Sequence, residues 1–199
     1  AAEKNLDLLF EGSVGGGIPI IRPLKGCLAG NEILEIKGIV NGTTNYILSR
    51  MKNEELSFES VLKDAQAKGY AEANPSADVD GHDAAYKISI LASIAFTTRV
   101  DVAQVPREGI TNISADDGKM VVRVNPAFIP NEHPLANVNG VNNAVYVKGN
   151  AVGEVMFYGP GAGSLAAGSA VVGDVIDIAR NINYSSTSRI HCTCFDARD

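Results

Sequence analysis

The sequence predicts an α+β fold in which a mixed β-sheet is covered by helices. In the first half, apolar residues recur every three or four positions, as in amphipathic helices. In the second half, short extended segments are separated by glycine and asparagine, as in strands joined by turns. Hydrophobic residues make up 45% and charged residues 20% of the 199 residues, which is typical of a globular domain and excludes a disordered chain.

Charge and cysteine content narrow the class of protein further. The chain has 17 Lys and Arg against 23 Asp and Glu, a net charge of −6, and no basic cluster, so nucleic acid is not expected as a partner. No apolar run reaches the roughly 18 to 20 residues of a membrane-spanning helix. The three cysteines cannot form an even disulfide framework, which favours a reducing, cytoplasmic compartment.

The first predicted elements are a short strand at residues 8–11, a tight glycine-rich loop at 12–17 and the start of a helix near 18–21. The loop follows a strand, as a dinucleotide-binding loop does. However, its glycine intervals do not match G-x-G-x-x-G, and no acidic residue follows at the expected distance. We therefore interpret it as a tight turn and do not expect a complete Rossmann domain within the chain.

Four further elements are predicted before residue 100. They are a strand at 33–40, a helix opening at Gly42, a helix from Ser57 to a C-cap at Gly69, and, after a turn at 74–76, a buried helix at about 80–96. The second half is predicted to contain strands at 119–124, 144–148 and 153–158, a glycine-rich break at 159–163 and a helix at 166–179. Residues 185–199 form a tail without clear periodicity.

A polar stretch at residues 69–87 concentrates four carboxylates and a lysine where an apolar helix begins. Asp83 and Lys87 lie four residues apart, so they share one helix face and can pair. One interpretation is an ordinary solvated ion pair. The other is that the apolar segment after Lys87 half-buries the lysine, which can then act as a general acid or base beside carboxylates.

Two other segments contain groups that could bind an ion. Residues 42–45, at a helix start, could either cap the helix or offer backbone N–H groups and hydroxyls to an anion. His191, Cys192 and Cys194 are too sparse for a zinc site.

Read together, these segments resemble the catalytic region of homoserine dehydrogenases. The resemblance rests on residues 11–21 (EGSVGGGIPII), 38–48 (GIVNGTTNYIL), 69–87 (GYAEANPSADVDGHDAAYK) and 158–163 (YGPGAG) with the helix that follows. It covers nearly the whole chain. It implies an NAD(P)-dependent oxidoreductase that interconverts L-aspartate 4-semialdehyde and L-homoserine, the step that leads to threonine and methionine.

The resemblance also implies roles for individual residues. Lys87 is expected as the acid–base group at the substrate oxygen, held by Asp83. The substrate is expected to contact Thr43, Glu72, Asp78 and Asp83, and the cofactor to approach Gly69 and Gly163. A monovalent cation, Na⁺ or K⁺, is expected at Glu11, Val14, Gly16 and Ile18, bound mainly by backbone carbonyls, because hard cations prefer oxygen ligands.

The same resemblance implies a homodimer formed through the central sheet. It divides the chain into a substrate-binding and dimerisation domain at 1–158, a segment at 159–184 whose helix belongs to a Rossmann domain, and the tail. The family's nucleotide-binding unit precedes the matched segments, and the chain starts without Met or signal peptide. We therefore expect a fragment that is inactive alone. The alternative is a non-catalytic small-ligand-binding or dimeric assembly module, which would not need Glu72, Asp78, Asp83 and Lys87.

Overall fold

A computed structural model describes residues 6–110, 124, 125, 127 and 129–183. The helices are α1 (Ile21–Lys25), α2 (Gly42–Glu54), α3 (Phe58–Ala67), α4 (Ser76–Val79), α5 (His82–Ala95) and α6 (Ser164–Asn183). The strands are β1 (Ile33–Ile39), β2 (Asn142–Gly149) and β3 (Gly153–Pro160). The predicted α+β class is confirmed.

The three strands form one sheet in the order β1-β2-β3, and both pairings are antiparallel. A mixed sheet was expected, but β2 and β3 are joined by a loop too short for a parallel crossover. The pairing ends with Gly149 opposite Gly153, and Gly153 has φ +75°, a conformation that favours glycine. The helices α2 to α5 are inserted between β1 and β2.

One face of the sheet is covered by helices and the other only in part, and the covered face positions α5, which carries polar residues. The covered face packs against α1 and α5 through a buried cluster that includes Leu24, Leu91, Ile94, Val145 and Val147. The opposite face carries a smaller cluster formed by Leu135, Val138, Ala144 and Tyr146, while Met156 and Tyr158 on β3 are exposed. A separate cluster joins α2 to α3, and it consists of Tyr46, Ile47, Val61, Ala65 and Ala71.

Helices α2 and α3 begin where the sequence predicts, because each has a side-chain cap. The Asn41 side chain accepts a hydrogen bond from the Thr44 N–H at 2.9 Å, and the Ser57 hydroxyl accepts one from the Ser60 N–H at 3.3 Å. The predicted C-cap at Gly69 is one residue late. Lys68 is the C-cap of α3, and Gly69 follows it with φ +73°.

The predicted strand at residues 8–11 is wrong. Residues 6–10 have no regular structure, and Glu11–Ser13 form a single 3-10 turn. The Glu11 side chain is buried against the start of α1, so the chain cannot continue as a strand there. Of the strand predicted at 119–124 only Val124 lies within the described residues, where it forms an isolated parallel bridge with Arg107. The tail at 185–199 lies outside them.

Helix α6 is longer than the predicted 166–179 and leaves an apolar face exposed. That face consists of Leu165, Val171, Val172, Val175, Ile176 and Ile182. Its other side packs on the 3-10 turn at residues 11–13. Among the described residues, none of the helices has the length and apolarity needed to span a membrane.

Candidate active site

A hydrogen-bonded group of polar side chains lies where α2, α4 and α5 meet. Lys87 is on α5, and its side chain is only 20% exposed. Its Nζ donates to Asp83 Oδ2 at 2.7 Å and to the backbone carbonyl oxygen of Val40 at 2.9 Å. The expected pairing of Asp83 with Lys87 is therefore present, and a main-chain carbonyl fixes the ammonium from a second side.

Asn41 joins this pair to a second carboxylate. Its side-chain Nδ2 donates to Asp78 Oδ1 at 2.6 Å and to Asp83 Oδ2 at 2.9 Å. Lys87, Asp83, Asn41 and Asp78 thus form one continuous hydrogen-bonded group, which we call the lysine–carboxylate cluster. Sequence reasoning missed Asn41 as a member, because nothing in its position before α2 relates it to residues 78 and 83.

Two other residues expected to contact the substrate are Thr43, in the first turn of α2, and Glu72, in the loop after α3. The Thr43 hydroxyl donates to the Tyr70 carbonyl oxygen at 2.7 Å, which ties this loop to the first turn of α2. Gln66 Nε2 donates to the Glu72 carbonyl oxygen at 3.1 Å. The Glu72 side chain itself is exposed, and within the described part of the chain it has no hydrogen bond or ion pair. Its carboxylate is therefore outside the lysine–carboxylate cluster.

The two glycines expected near the cofactor occupy open positions. Gly69 has φ +73° and Gly163 has φ +112°, and no heavy atom lies within 4 Å of the point where a Cβ would stand at either residue. Both conformations favour glycine. A side chain at either position would occupy free space rather than a neighbouring residue, so a flat ligand has room there.

The glycine-rich loop at 12–17 packs against the break at 159–163. The Gly17 N–H donates to the Pro160 carbonyl oxygen at 3.1 Å. A Cβ on Gly16 would overlap the Gly161 carbonyl, and a Cβ on Gly161 would overlap the Asn143 side chain. The two loops thus pack closely against each other, which explains the need for glycine at Gly16 and Gly161.

Glu11, expected at a cation site, already uses its carboxylate. Oε1 accepts the N–H groups of Ile20 at 2.6 Å and Ile21 at 2.8 Å, and Oε2 accepts that of Arg22 at 2.8 Å. These are the free N–H groups at the start of α1, where a negative charge is favourable. Three of the roughly four acceptor sites of this carboxylate are thus occupied, so a cation in this loop would depend mainly on backbone carbonyls.

The remaining expected cation ligands are also backbone oxygens. Among the described residues, no hydrogen bond ends on the carbonyl oxygens of Val14, Gly16 or Ile18. The described residues contain no group of three or more His, Cys, Asp or Glu side chains that could hold a metal ion. A cation bound here would thus depend on carbonyls.

A cavity of about 290 Å³ lies apart from this cluster, between the N-terminal segment, α1 and α6. Arg22 lines it, and its guanidinium donates to Asp174 Oδ1 at 2.5 Å. This hydrogen bond to Asp174 raises the pKa of Arg22. None of the cavity-lining residues belongs to the lysine–carboxylate cluster.

The sequence of this chain matches a known protein family. A family model for homoserine dehydrogenase matches residues 19–176. A homoserine dehydrogenase from Mycobacterium leprae is 49% identical over 91% of this chain, and one from Synechocystis is 50% identical over 93%. These alignments cover 47% and 48% of the two relatives, so the chain spans about half of their length.

Solved structures give the same picture. A homoserine dehydrogenase from Thiobacillus denitrificans superposes with a TM-score of 0.85 and 41% identity, covering 92% of this chain and 47% of that one. A hyperthermophilic archaeal homoserine dehydrogenase in complex with NADPH superposes with a TM-score of 0.81 and 33% identity, covering 91% of this chain and 58% of that one.

Proposed function

Because the chain belongs to the homoserine dehydrogenase family, we propose that it is the substrate-binding part of an enzyme that interconverts L-homoserine and L-aspartate 4-semialdehyde with NAD(P). The observation that carries the proposal is the half-buried Lys87 ammonium, fixed by Asp83 and by the Val40 carbonyl. The reaction belongs to amino-acid biosynthesis. We place it in the cytoplasm, in line with the free thiol of Cys27.

Lys87 is the proposed acid–base group. Reduction of an aldehyde needs a hydride at carbon and a proton at oxygen, and the nicotinamide cofactor supplies the hydride when it is bound. An ammonium group has three N–H donors, and two of those of Lys87 are used by Asp83 and Val40. The third is left for the substrate oxygen, to which Lys87 gives its proton as negative charge develops.

The carboxylates are proposed to select the amino end of the substrate. The Glu72 carboxylate is exposed, and Asp78 uses Oδ1 for Asn41 while Oδ2 has no described partner. Both can accept charge-assisted hydrogen bonds from an ammonium group. The Thr43 hydroxyl donates a hydrogen bond to the Tyr70 carbonyl oxygen, so the hydroxyl oxygen can still accept a hydrogen bond from the substrate.

For the cofactor and the cation we propose the positions that the family resemblance implies. The open space at Gly69 and Gly163 suits the approach of NAD(P). A monovalent cation, Na⁺ or K⁺, would be held by the carbonyls of Glu11, Val14, Gly16 and Ile18, in keeping with the preference of hard cations for oxygen. Replacing Na⁺ and K⁺ by a large organic cation tests this site through loss of thermal stability.

The proposed assembly is a homodimer formed through the sheet of the 1–158 domain. Within the described residues one edge of β3 is unpaired, and Leu34, Met156 and Tyr158 on the strands are exposed. Exposed apolar strand residues beside a free edge are typical of an interface. Sedimentation equilibrium measures the mass, and a strict monomer at all concentrations would contradict the dimer. Residues 159–184 are proposed to contribute to the nucleotide-binding domain.

The decisive assay measures homoserine-dependent reduction of NAD(P) by the longest natural protein that contains this chain. Lys87→Ala is expected to lower kcat at least about 1000-fold, because in this direction the group that accepts the hydroxyl proton of homoserine is lost. Lys68→Ala is the matched control, since Lys68 pairs with Asp64 at the same spacing, but at a distance from the cluster. Homoserine binding without turnover would favour the non-catalytic module, and an active Lys87→Ala variant would contradict the assigned role.

A further inference from the structure

We propose that Asn41 is a positioning residue of this site, which holds Asp78 and Asp83 so that Asp83 stays on Lys87. The inference rests on the proposed function for its catalytic consequence, but its geometric part stands on the hydrogen bonds alone. Asn41 is 8% exposed, and both carboxylates reach its single side-chain nitrogen. No other side chain in the described part of the chain donates hydrogen bonds to both.

The orientation of the amide is fixed by its neighbours. Asn41 Oδ1 accepts the Thr44 N–H at 2.9 Å and lies 3.0 Å from the Thr44 hydroxyl. A backbone N–H can only donate, so the atom facing it is the amide oxygen. The nitrogen consequently faces the carboxylates, and each of its two protons has one carboxylate acceptor.

The chemistry of an amide suits this position better than a charged donor would. Two carboxylates drawn to one point repel each other unless donors lie between them. Lys or Arg would supply donors, but it would also neutralise the negative charge that Asp83 offers to Lys87 and Asp78 to a substrate ammonium. The amide supplies two donors and leaves both charges in place.

Asn41 has a second function as the N-cap of α2, and an experiment has to separate the two. Asn41→Ser keeps a good capping residue but removes the side-chain nitrogen. Asn41→Asp keeps the cap and the shape, loses both donors and adds a third carboxylate. Ser57→Ala removes the cap of α3, which leaves the cluster intact, and so serves as the capping control.

The kinetic test uses the longest natural protein that contains the chain. Asn41→Ser is expected to lower kcat/KM for homoserine by about 10- to 100-fold, because misplaced catalytic groups cost that much. KM for NAD(P) should stay within about twofold, and Asn41→Asp should be at least as impaired. Ser57→Ala should leave kcat/KM within about twofold at an equal folded fraction by circular dichroism. An Asn41→Ser variant with unchanged kcat/KM would overturn the catalytic part.

A second readout, in the 199-residue chain itself, tests the hydrogen bonds by which Asn41 bridges Asp78 and Asp83. In a ¹⁵N-labelled sample, the side-chain NH₂ signals of Asn41 are identified by their loss in Asn41→Ser. They should shift in both Asp78→Asn and Asp83→Asn, and not in Asp64→Asn. Unshifted signals would overturn the bridge. Because this readout needs no turnover, an inactive wild-type protein would contradict the proposed function and leave the bridge to be judged by the spectra.

Discussion

Two Asp–Lys pairs in this chain have the same chemistry and the same spacing but different surroundings. The Lys87 Nζ lies 2.7 Å from Asp83 Oδ2 on α5. The Lys68 Nζ lies 2.8 Å from Asp64 Oδ2 at the end of α3. Each pair places the aspartate four residues before the lysine, which is the favourable orientation on a helix. Sequence spacing cannot distinguish them, so their difference shows what the fold adds.

The pair on α3 belongs to a surface network that contains a second cation, Arg50. The Lys68 side chain is 49% exposed, and Asp64 Oδ2 also accepts hydrogen bonds from Arg50 and, at 2.7 Å, from the Tyr46 hydroxyl. The hydrogen bonds from Lys68 and Tyr46 hold the pKa of Asp64 below its usual value. Arg50 also pairs with Glu54, and Lys68 also donates to the Tyr46 hydroxyl, so two positive charges face two carboxylates in this network.

The pair on α5 has the opposite balance. Lys87 is 20% exposed, its other partner is a neutral carbonyl, and Asp83 shares a neutral amide with Asp78. Two carboxylates face one lysine, so the cluster carries a net negative charge that suits an ammonium-bearing substrate. The comparison teaches that burial and the charge of the third partner distinguish the pair proposed to act in the reaction from a solvated pair.

The largest expected difference between the pairs is in turnover. Asp83→Asn removes the charge that holds Lys87, and we expect kcat to fall about 10- to 100-fold in the longest natural protein that contains the chain. Asp64→Asn, on the surface network, should leave kcat within about twofold. Steady-state rates at saturating homoserine measure both. Equal losses in the two variants would mean that the surroundings do not distinguish the pairs.

Sequence reasoning reached the side-chain pair and most of the helices because both depend on local spacing. Asp83 and Lys87 are four residues apart, and Ser57 directly precedes the helix that it caps, although the cap of α2 is Asn41 and not a residue of the predicted segment 42–45. Such features involve neighbours within one helical turn, so periodicity and capping preferences detect them.

The parts that sequence reasoning missed depend on contacts between distant residues. Asn41 meets Asp83 across 42 positions, and Glu11 turns its carboxylate to Ile20 and Ile21 rather than continuing a strand. The apolar run before Glu11 reads as a strand because strand propensity describes a residue that fits a half-buried pleat, whatever its tertiary partner. A buried carboxylate that caps a helix nine residues later leaves no periodic signal.

A smaller effect is expected from the hydroxyl that supports the surface pair. Tyr46→Phe removes a donor to Asp64 and the partner of Lys68 Nζ at 3.0 Å, while the ring can stay packed edge-on against Tyr70. We expect a loss of roughly 1 kcal/mol of unfolding free energy, typical of one hydrogen bond. Urea denaturation of the chain measures it, with Tyr86→Phe on an exposed tyrosine as the control. If Tyr46→Phe lost no more unfolding free energy than the control, the Tyr46 hydroxyl would not contribute to the stability of this network.

The smallest effect is a pH dependence of stability at the surface pair. Because the pKa of Asp64 is lower in the folded chain than in the unfolded one, the pair stabilises the fold fully above the unfolded value of about 3.9, and this stabilisation is lost as the pH falls through the folded value. The melting temperature of Asp64→Asn should therefore fall less than that of the wild type between about pH 5 and pH 2. Glu59→Gln, an exposed carboxylate on the same helix, should follow the wild type. If Asp64→Asn and Glu59→Gln gave the same slope, Lys68 and Tyr46 would not be stabilising the charged form of Asp64.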